Sequence, residues 1–189
     1  MSANAKTDSP TQSRPATKRA SHFRYDVAGS FVDSLKTNGV TYSVLLPDSV
    51  LHPINELLLA DADVQTVVCS REDEGIAIAV GAGWGGRRSA ISMEGSAIGM
   101  SGLILARAVI QRSPTLIIAS HSSVLGEKFG YHAATRAVTQ PVLDALRIPY
   151  HVLRDPEEIP HVIKQIIRTM EGQKTPVAIL VPPFILVSD

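Results

Sequence analysis

The chain is poor in the residues that build covalent or metal-held scaffolds. It has a single cysteine, Cys69, so no internal disulfide and no cysteine-based metal cluster can form, and that residue reads as a small buried strand member. A lone cysteine also agrees with a reducing compartment. Charge of one sign is lacking too: 18 Lys and Arg stand against 18 Asp and Glu, which removes the usual argument for nucleic acid or an anionic membrane surface as partner. No apolar run is long enough to cross a bilayer, and the first residues lack the apolar stretch of a secretory signal, so a cytoplasmic location is expected.

Residues 1–24 are nearly free of large apolar side chains and rich in Ser, Thr, Pro and Ala, so they cannot offset their own ordering entropy. They carry Lys6, Arg14, Lys18, Arg19 and Arg24 against Asp8 and read as a disordered basic tail. Residues 25–189 hold the apolar content for one compact domain.

From residue 25 onward the periodicity alternates between helix and strand patterns. Helices are expected over 26–38, up to about 60 from the Pro47-Asp48-Ser49 turn, and over 72–84, 97–111, 136–146 and 156–170. Strands are expected over 41–46, 64–69, 89–93, 115–120, 150–153 and 177–181. Runs such as LIIAS and VAILV are apolar on both faces, as parallel strands covered by helices must be. The predicted fold is α/β: an open, doubly wound, mainly parallel six-stranded sheet with helices on both faces. Ligands of such sheets sit at the carboxyl ends of the strands, so the chemistry is sought after Leu46, Cys69, Met93 and Ser120.

After the first strand, Asp48 and Ser49 suit a helix N-cap or the mouth of a site. After the second, Ser70 and Asp73 resemble a capping box, and Glu72, Asp73 and Glu74 are acids that a helix N-terminus favours. The helix beyond them is built from Gly75, Ala77, Ala79, Gly81, Ala82 and Gly83, a weak choice for an isolated surface helix. Its small residues suit close packing against another subunit or a ligand, and Trp84 at its end reads as packing. After the third strand, Gly95, Ser96 and Gly99 stand at a helix start without the Lys and Ser/Thr of a phosphate loop. The long connection after the fourth strand carries His121, Glu127, Tyr131 and His132, and long ordered loops are usually functional. His52, His151 and His161 have no partners in the sequence pattern and read as structural.

Three of these pieces, LPDSVLHPI, RE followed by the Ala and Gly-rich helix, and MEGSAIG, together with GEKFGYHAATRAVTQPVLDALRIPY, resemble one family. It is the pyrimidine-binding domain of thiamine diphosphate enzymes, most closely the sulfopyruvate decarboxylase α subunit and the matching half of phosphonopyruvate decarboxylase. The resemblance covers about residues 26–187. It implies that Glu72 hydrogen-bonds N1′ of the cofactor aminopyrimidine and favours the imino tautomer that activates thiazolium C2. It further implies catalytic roles for His132, with His121 second, cofactor contacts at Pro47, Gly95, Ser96 and Gly99, and substrate contacts at Asp48, Ser49 and Glu127. Where the family commonly has a loop close to NSGLGN this chain reads GSAIGM, with Ala97 for a glycine and Met100 for an asparagine.

The family's GDG followed by a later Asn, which holds Mg2+ and the diphosphate, is absent from these residues. The resemblance therefore implies that the metal is bound by a diphosphate-binding β subunit, in a hetero-oligomer such as a dimer of heterodimers. The activity implied is decarboxylation of a small 2-oxo acid. Two other readings remain at this point: a non-catalytic structural or regulatory subunit of such a complex, and a free-standing flavodoxin-like ligand-binding module.

Overall fold

The computed structural model describes residues 22–122 and 124–188, and the tail expected over residues 1–24 lies outside the described residues except for its last three. Those three are tied to the far end of the chain. Arg24 N donates to Leu186 O at 2.8 Å, Ser188 N donates to His22 O at 2.8 Å, and Phe23 forms an antiparallel bridge with Val187.

The elements alternate: α1 (Tyr25–Thr37), β1 (Tyr42–Leu45), α2 (His52–Ala60), β2 (Gln65–Val68), α3 (Glu72–Trp84), β3 (Ser89–Met93), α4 (Ala97–Met100) and α5 (Gly102–Ile110). Then come β4 (Leu116–Ser120), α6 (Ala133–Ala145), β5 (Tyr150–Val152), α7 (Ile159–Gln173), β6 (Val177–Val181) and α8 (Pro183–Leu186). The six strands form one sheet in the order β2-β1-β3-β4-β6-β5, and every neighbouring pair is parallel. The expected doubly wound α/β architecture is therefore the one observed.

Alternation along the strands divides the core in two. Leu116, Ile118, Val177 and Ile179 point into the cluster formed with α1, α2 and α7, while Ile117, Ala119, Ala178 and Leu180 point into the one formed with α3, α5 and α6. Helix α7 shows how the sequence selects its face. Ile159, Val162, Ile163, Ile166, Ile167 and Met170 recur at helical spacing and are all buried. Its entry is a 3-10 turn over Pro156–Glu158 closed by a capping box between Asp155 and Glu158, which is why the α-helix begins at 159 rather than 156. Gly39 ends the first helical segment with φ +81, a conformation open to glycine.

Besides the start of α7, three elements depart from the sequence expectation. The single helix expected over 97–111 is broken at Ser101, between two glycines of low helix propensity, Gly99 and Gly102. Helix α6 begins at 133 instead of 136, after a 3-10 turn over Gly130–His132. Helix α8 was not expected; Pro183 in its first turn is the signal that marks it.

Candidate active site

Chain reversal between β1 and β3 opens a crevice at their carboxyl ends, where β1 turns outward to β2 and the chain returns to build β3 on its other side. Asp48 lies in it. Its Oδ1 accepts from Val50 N at 2.9 Å and Leu51 N at 2.8 Å, which caps the turn leading into α2. Its Oδ2 accepts from Ser120 Oγ at 3.1 Å, and Gly95 N approaches the same hydroxyl at 3.4 Å. One carboxylate thus joins the ends of β1, β3 and β4. Burial pushes the Asp48 carboxyl above the ordinary carboxylate range, with the neighbouring Glu94 charge adding to it, against the opposing pull of the Leu51 and Val50 amides and the Ser120 hydroxyl. Pro47 and Ser49 flank it on exposed backbone.

The three acids at the head of α3 divide their work. Asp73 is bidentate with Arg71, at 3.0 Å to Nε and 2.9 Å to the terminal nitrogen, and Glu74 accepts from Ser70 N at 3.3 Å. The capping box expected between Ser70 and Asp73 is not formed, because Arg71 takes the Asp73 carboxylate and Glu74 takes the Ser70 amide. Glu72 alone, half-buried at the first helical position, has no side-chain partner among the described residues.

At the end of β3 the glycines serve the chain itself. A Cβ on Gly95 would stand 2.3 Å from Ser120 O, and one on Gly99 would stand 2.7 Å from Val138 Cβ. Close approach to a ligand is the expected reason for both; close approach of α4 and the turn before it to β4 and α6 is a second reason within the chain. Gly95 is further held by Thr139 Oγ1, which donates to its carbonyl at 2.8 Å. Ser96 is half-buried at the start of α4, Ala97 is buried and Met100 is exposed.

Along β4 the chain passes from Ser120 to His121, which is buried, with an Nδ1 that has no hydrogen-bond partner among the described residues. Burial lowers the His121 pKa, so the ring is neutral near pH 7. In the following loop His132 Nδ1 and Glu127 Oε2 are 2.6 Å apart, while Phe129 N donates to Glu127 Oε1 at 2.8 Å. Expected to face substrate, Glu127 instead has both oxygens engaged inside its own loop. The loop also borders a cavity of about 560 Å³ lined by Glu127, Lys128, Phe129, Arg136 and Gln140.

Asp48, Gly95 and Ser120 are brought together by hydrogen bonds, and Glu127 is paired with His132. Among the described residues no hydrogen bond or ion pair joins Glu72 or His121 to either group. Sequence reasoning missed Ser120, Glu94 and Thr139; the last residue of an apolar parallel strand is itself a signal, which would have found Ser120. Trp84, read as packing, is 62% exposed and donates its Nε1–H to Ser113 Oγ at 2.9 Å. His52 and His151 are not partnerless: they lie 3.6 Å from Glu56 and 3.3 Å from Glu158.

A six-stranded parallel sheet with these loops at its carboxyl edge is the fold of the pyrimidine domain of thiamine diphosphate enzymes. Benzoylformate decarboxylase from Polynucleobacter necessarius superposes with a TM-score of 0.71 at 20% identity, over 86% of this chain and 31% of that one. The thiamine diphosphate-dependent 4-hydroxybenzoylformate decarboxylase of Rhodococcus jostii RHA1 gives 0.63 at 18% identity with the same coverage. The chain thus spans about a third of the length of the solved structures it matches. No protein-family profile matches the chain.

In sequence it is 33% identical over 144 residues to the sulfopyruvate decarboxylase subunit alpha of Methanococcus maripaludis, covering 76% of this chain and 86% of that one. It is 30% identical over 151 residues to the subunit of the same name from Methanocaldococcus jannaschii, covering 78% and 88%. The chain belongs to the sulfopyruvate decarboxylase alpha-subunit family.

Proposed function

We propose that this chain is the pyrimidine-binding subunit of a two-chain, thiamine diphosphate-dependent decarboxylase acting on sulfopyruvate or a closely similar small anionic 2-oxo acid. The observation that carries the proposal is Glu72. Of three consecutive acids it is the one whose carboxyl group makes no hydrogen bond or ion pair among the described residues, half-buried after β2, where a carboxyl group is needed to share a proton with N1′ of the aminopyrimidine. The buried, unpaired Nδ1 of His121 is a second polar atom suited to a bound group.

The cofactor, when bound, supplies the electron sink for loss of carbon dioxide. This chain's part is binding, orientation and proton handling. Pro47, Gly95, Ser96 and Gly99 would border the cofactor along the crevice between β1 and β3, and Glu72 would hold a proton at the pyrimidine. Asp48 and Ser49, at the crevice mouth, would meet the substrate, with His132 and His121 as proton donors or acceptors. Mg2+ and the diphosphate fall to a β subunit carrying the GDG and Asn signature, in an assembly such as a dimer of heterodimers. A cytoplasmic site of action fits a chain in which no described helix is long and apolar enough to cross a membrane.

The test is carbon dioxide release from a panel of 2-oxo acids by the assembled enzyme. Sulfopyruvate should be turned over fastest, and Glu72→Gln should lower kcat by about 100-fold or more while the subunit keeps its melting temperature, because the substituted amide cannot share a proton. Near-normal turnover by the Gln variant would refute the assignment.

A further inference from the structure

We propose that Glu127 is a positioning residue for His132, holding its Nδ1–H so that the Nε2 edge is the one offered to substrate. The inference rests on the reading that the loop after β4 borders the substrate, and it changes the role of Glu127 from substrate contact to support of the residue that makes that contact.

The arrangement is more constrained than a surface ion pair. Side-chain exposure is 21% for His132 and 17% for Glu127, in a loop whose other long side chains, Leu125, Lys128, Phe129 and Tyr131, are exposed. The carboxylate is fixed before it meets the imidazole, since Phe129 N holds Oε1 at 2.8 Å and leaves Oε2 for Nδ1 at 2.6 Å. The Phe129 amide keeps the Glu127 carboxyl below the usual range, helped by His132 itself, so it stays ionised near neutral pH. Two rings stand beside the imidazole, Tyr131 at 4.4 Å between centroids and Phe129 at 5.6 Å, both near perpendicular to it. The two rings stack on each other at 5.4 Å and so stand on one side of the imidazole; with Nδ1 taken, Nε2 is the remaining ring nitrogen.

His132 also stands at the N-cap of the 13-residue helix α6, so the pair fixes the entry into that helix. The charged group in contact with it is Glu127, while Lys128 and Arg136 line the neighbouring cavity and the Tyr131 ring stands against the imidazole. In the protonated ring Nδ1–H stays with Glu127 while the Nε2–H bond is the one that breaks, its proton passing to an acceptor on the substrate. Neutral imidazole remains, and water returns the proton.

Two readings of the same variants test this. Imidazole nitrogen shifts of the full chain, followed at a pH where His132 is neutral, should report the Nδ1–H tautomer in wild type and in Glu127→Gln, whose amide oxygen can still accept, and the Nε2–H form in Glu127→Ala. In the assembled enzyme His132→Ala should lower kcat/KM by about 100-fold and Glu127→Ala by about tenfold or more. The double variant should be no worse than His132→Ala alone, with Glu127→Gln restoring part of the loss. An Nε2–H tautomer in the wild type overturns the positioning role. Normal kcat/KM in His132→Ala overturns the reading of the loop on which it rests, and an additive double variant shows that Glu127 acts apart from His132.

Discussion

At Asp48 two demands meet in one carboxyl group. Two amides and a hydroxyl favour its charged form, while burial and Glu94 disfavour it, and burial dominates. A carboxyl whose pKa is higher folded than unfolded binds its proton more tightly in the folded state. Its contribution to stability is therefore present at low pH and lost as pH rises through the folded value. Asp48→Asn, which keeps one oxygen to accept from both amides and turns an NH2 toward the Ser120 oxygen without the charge, should melt no lower than wild type near pH 7. Any advantage of the variant should disappear as pH falls below about 4, the ordinary carboxylate range. Thermal melts of both proteins across that range check it, and a clear loss of stability in the variant at neutral pH would contradict the account. The sequence reveals Asp48 and Glu72 because each follows a strand at its carboxyl end. It does not reveal that Asp48 is shared with Ser120, since the two are 72 residues apart and meet only once β1 and β4 flank β3.

The elements differ in how far local pattern determines them. Strands β3 and β6 and helix α3 are readable to the residue, because the strands are short runs bounded by Arg88 and Glu94 or by Pro176 and Pro182, and the helix has a clear start after Arg71. The 97–111 segment is not, because its break depends on how α4 packs against α6, a contact between residues distant in sequence. Gly95 belongs to the same packing. Gly95→Ala places a methyl 2.3 Å from a backbone oxygen that cannot rotate away, so it should destabilise the chain by about 1–3 kcal/mol without any cofactor present. Calorimetry of the isolated subunit measures this. An unchanged melting temperature together with lost cofactor affinity would show that Gly95 acts through ligand contact and not through packing. On α3, Gly75 is likewise used internally, its Cβ position lying 2.5 Å from Ile91 Cδ1, whereas Gly81 has open space beyond it. The small-residue pattern therefore has two causes on one helix, which the composition alone does not separate.

At the scale of the whole molecule, large apolar side chains are left in water on α3 and the helices that pack against it: Trp84 on α3 itself, Met100 on α4, and Leu103 and Ile110 on α5. Exposed apolar groups concentrated in this way are what a chain needing a partner would show. Gly81→Leu adds bulk to the same helix without touching the core. The variant should fold with an unaltered melting temperature and fail to assemble, as sedimentation of the mixed subunits would report; full assembly would remove α3 from the interface.

The central claim, that this chain carries half of a decarboxylase, is tested most directly by reconstitution. Sulfopyruvate decarboxylation is to be followed with thiamine diphosphate and Mg2+ present, first with this chain alone and then with a diphosphate-binding partner subunit titrated in. The account predicts no turnover from the lone chain and activity that rises with added partner to saturation at a fixed ratio of subunits. Turnover by the lone chain, or a saturated complex that binds cofactor yet releases no carbon dioxide from any 2-oxo acid offered, would contradict it.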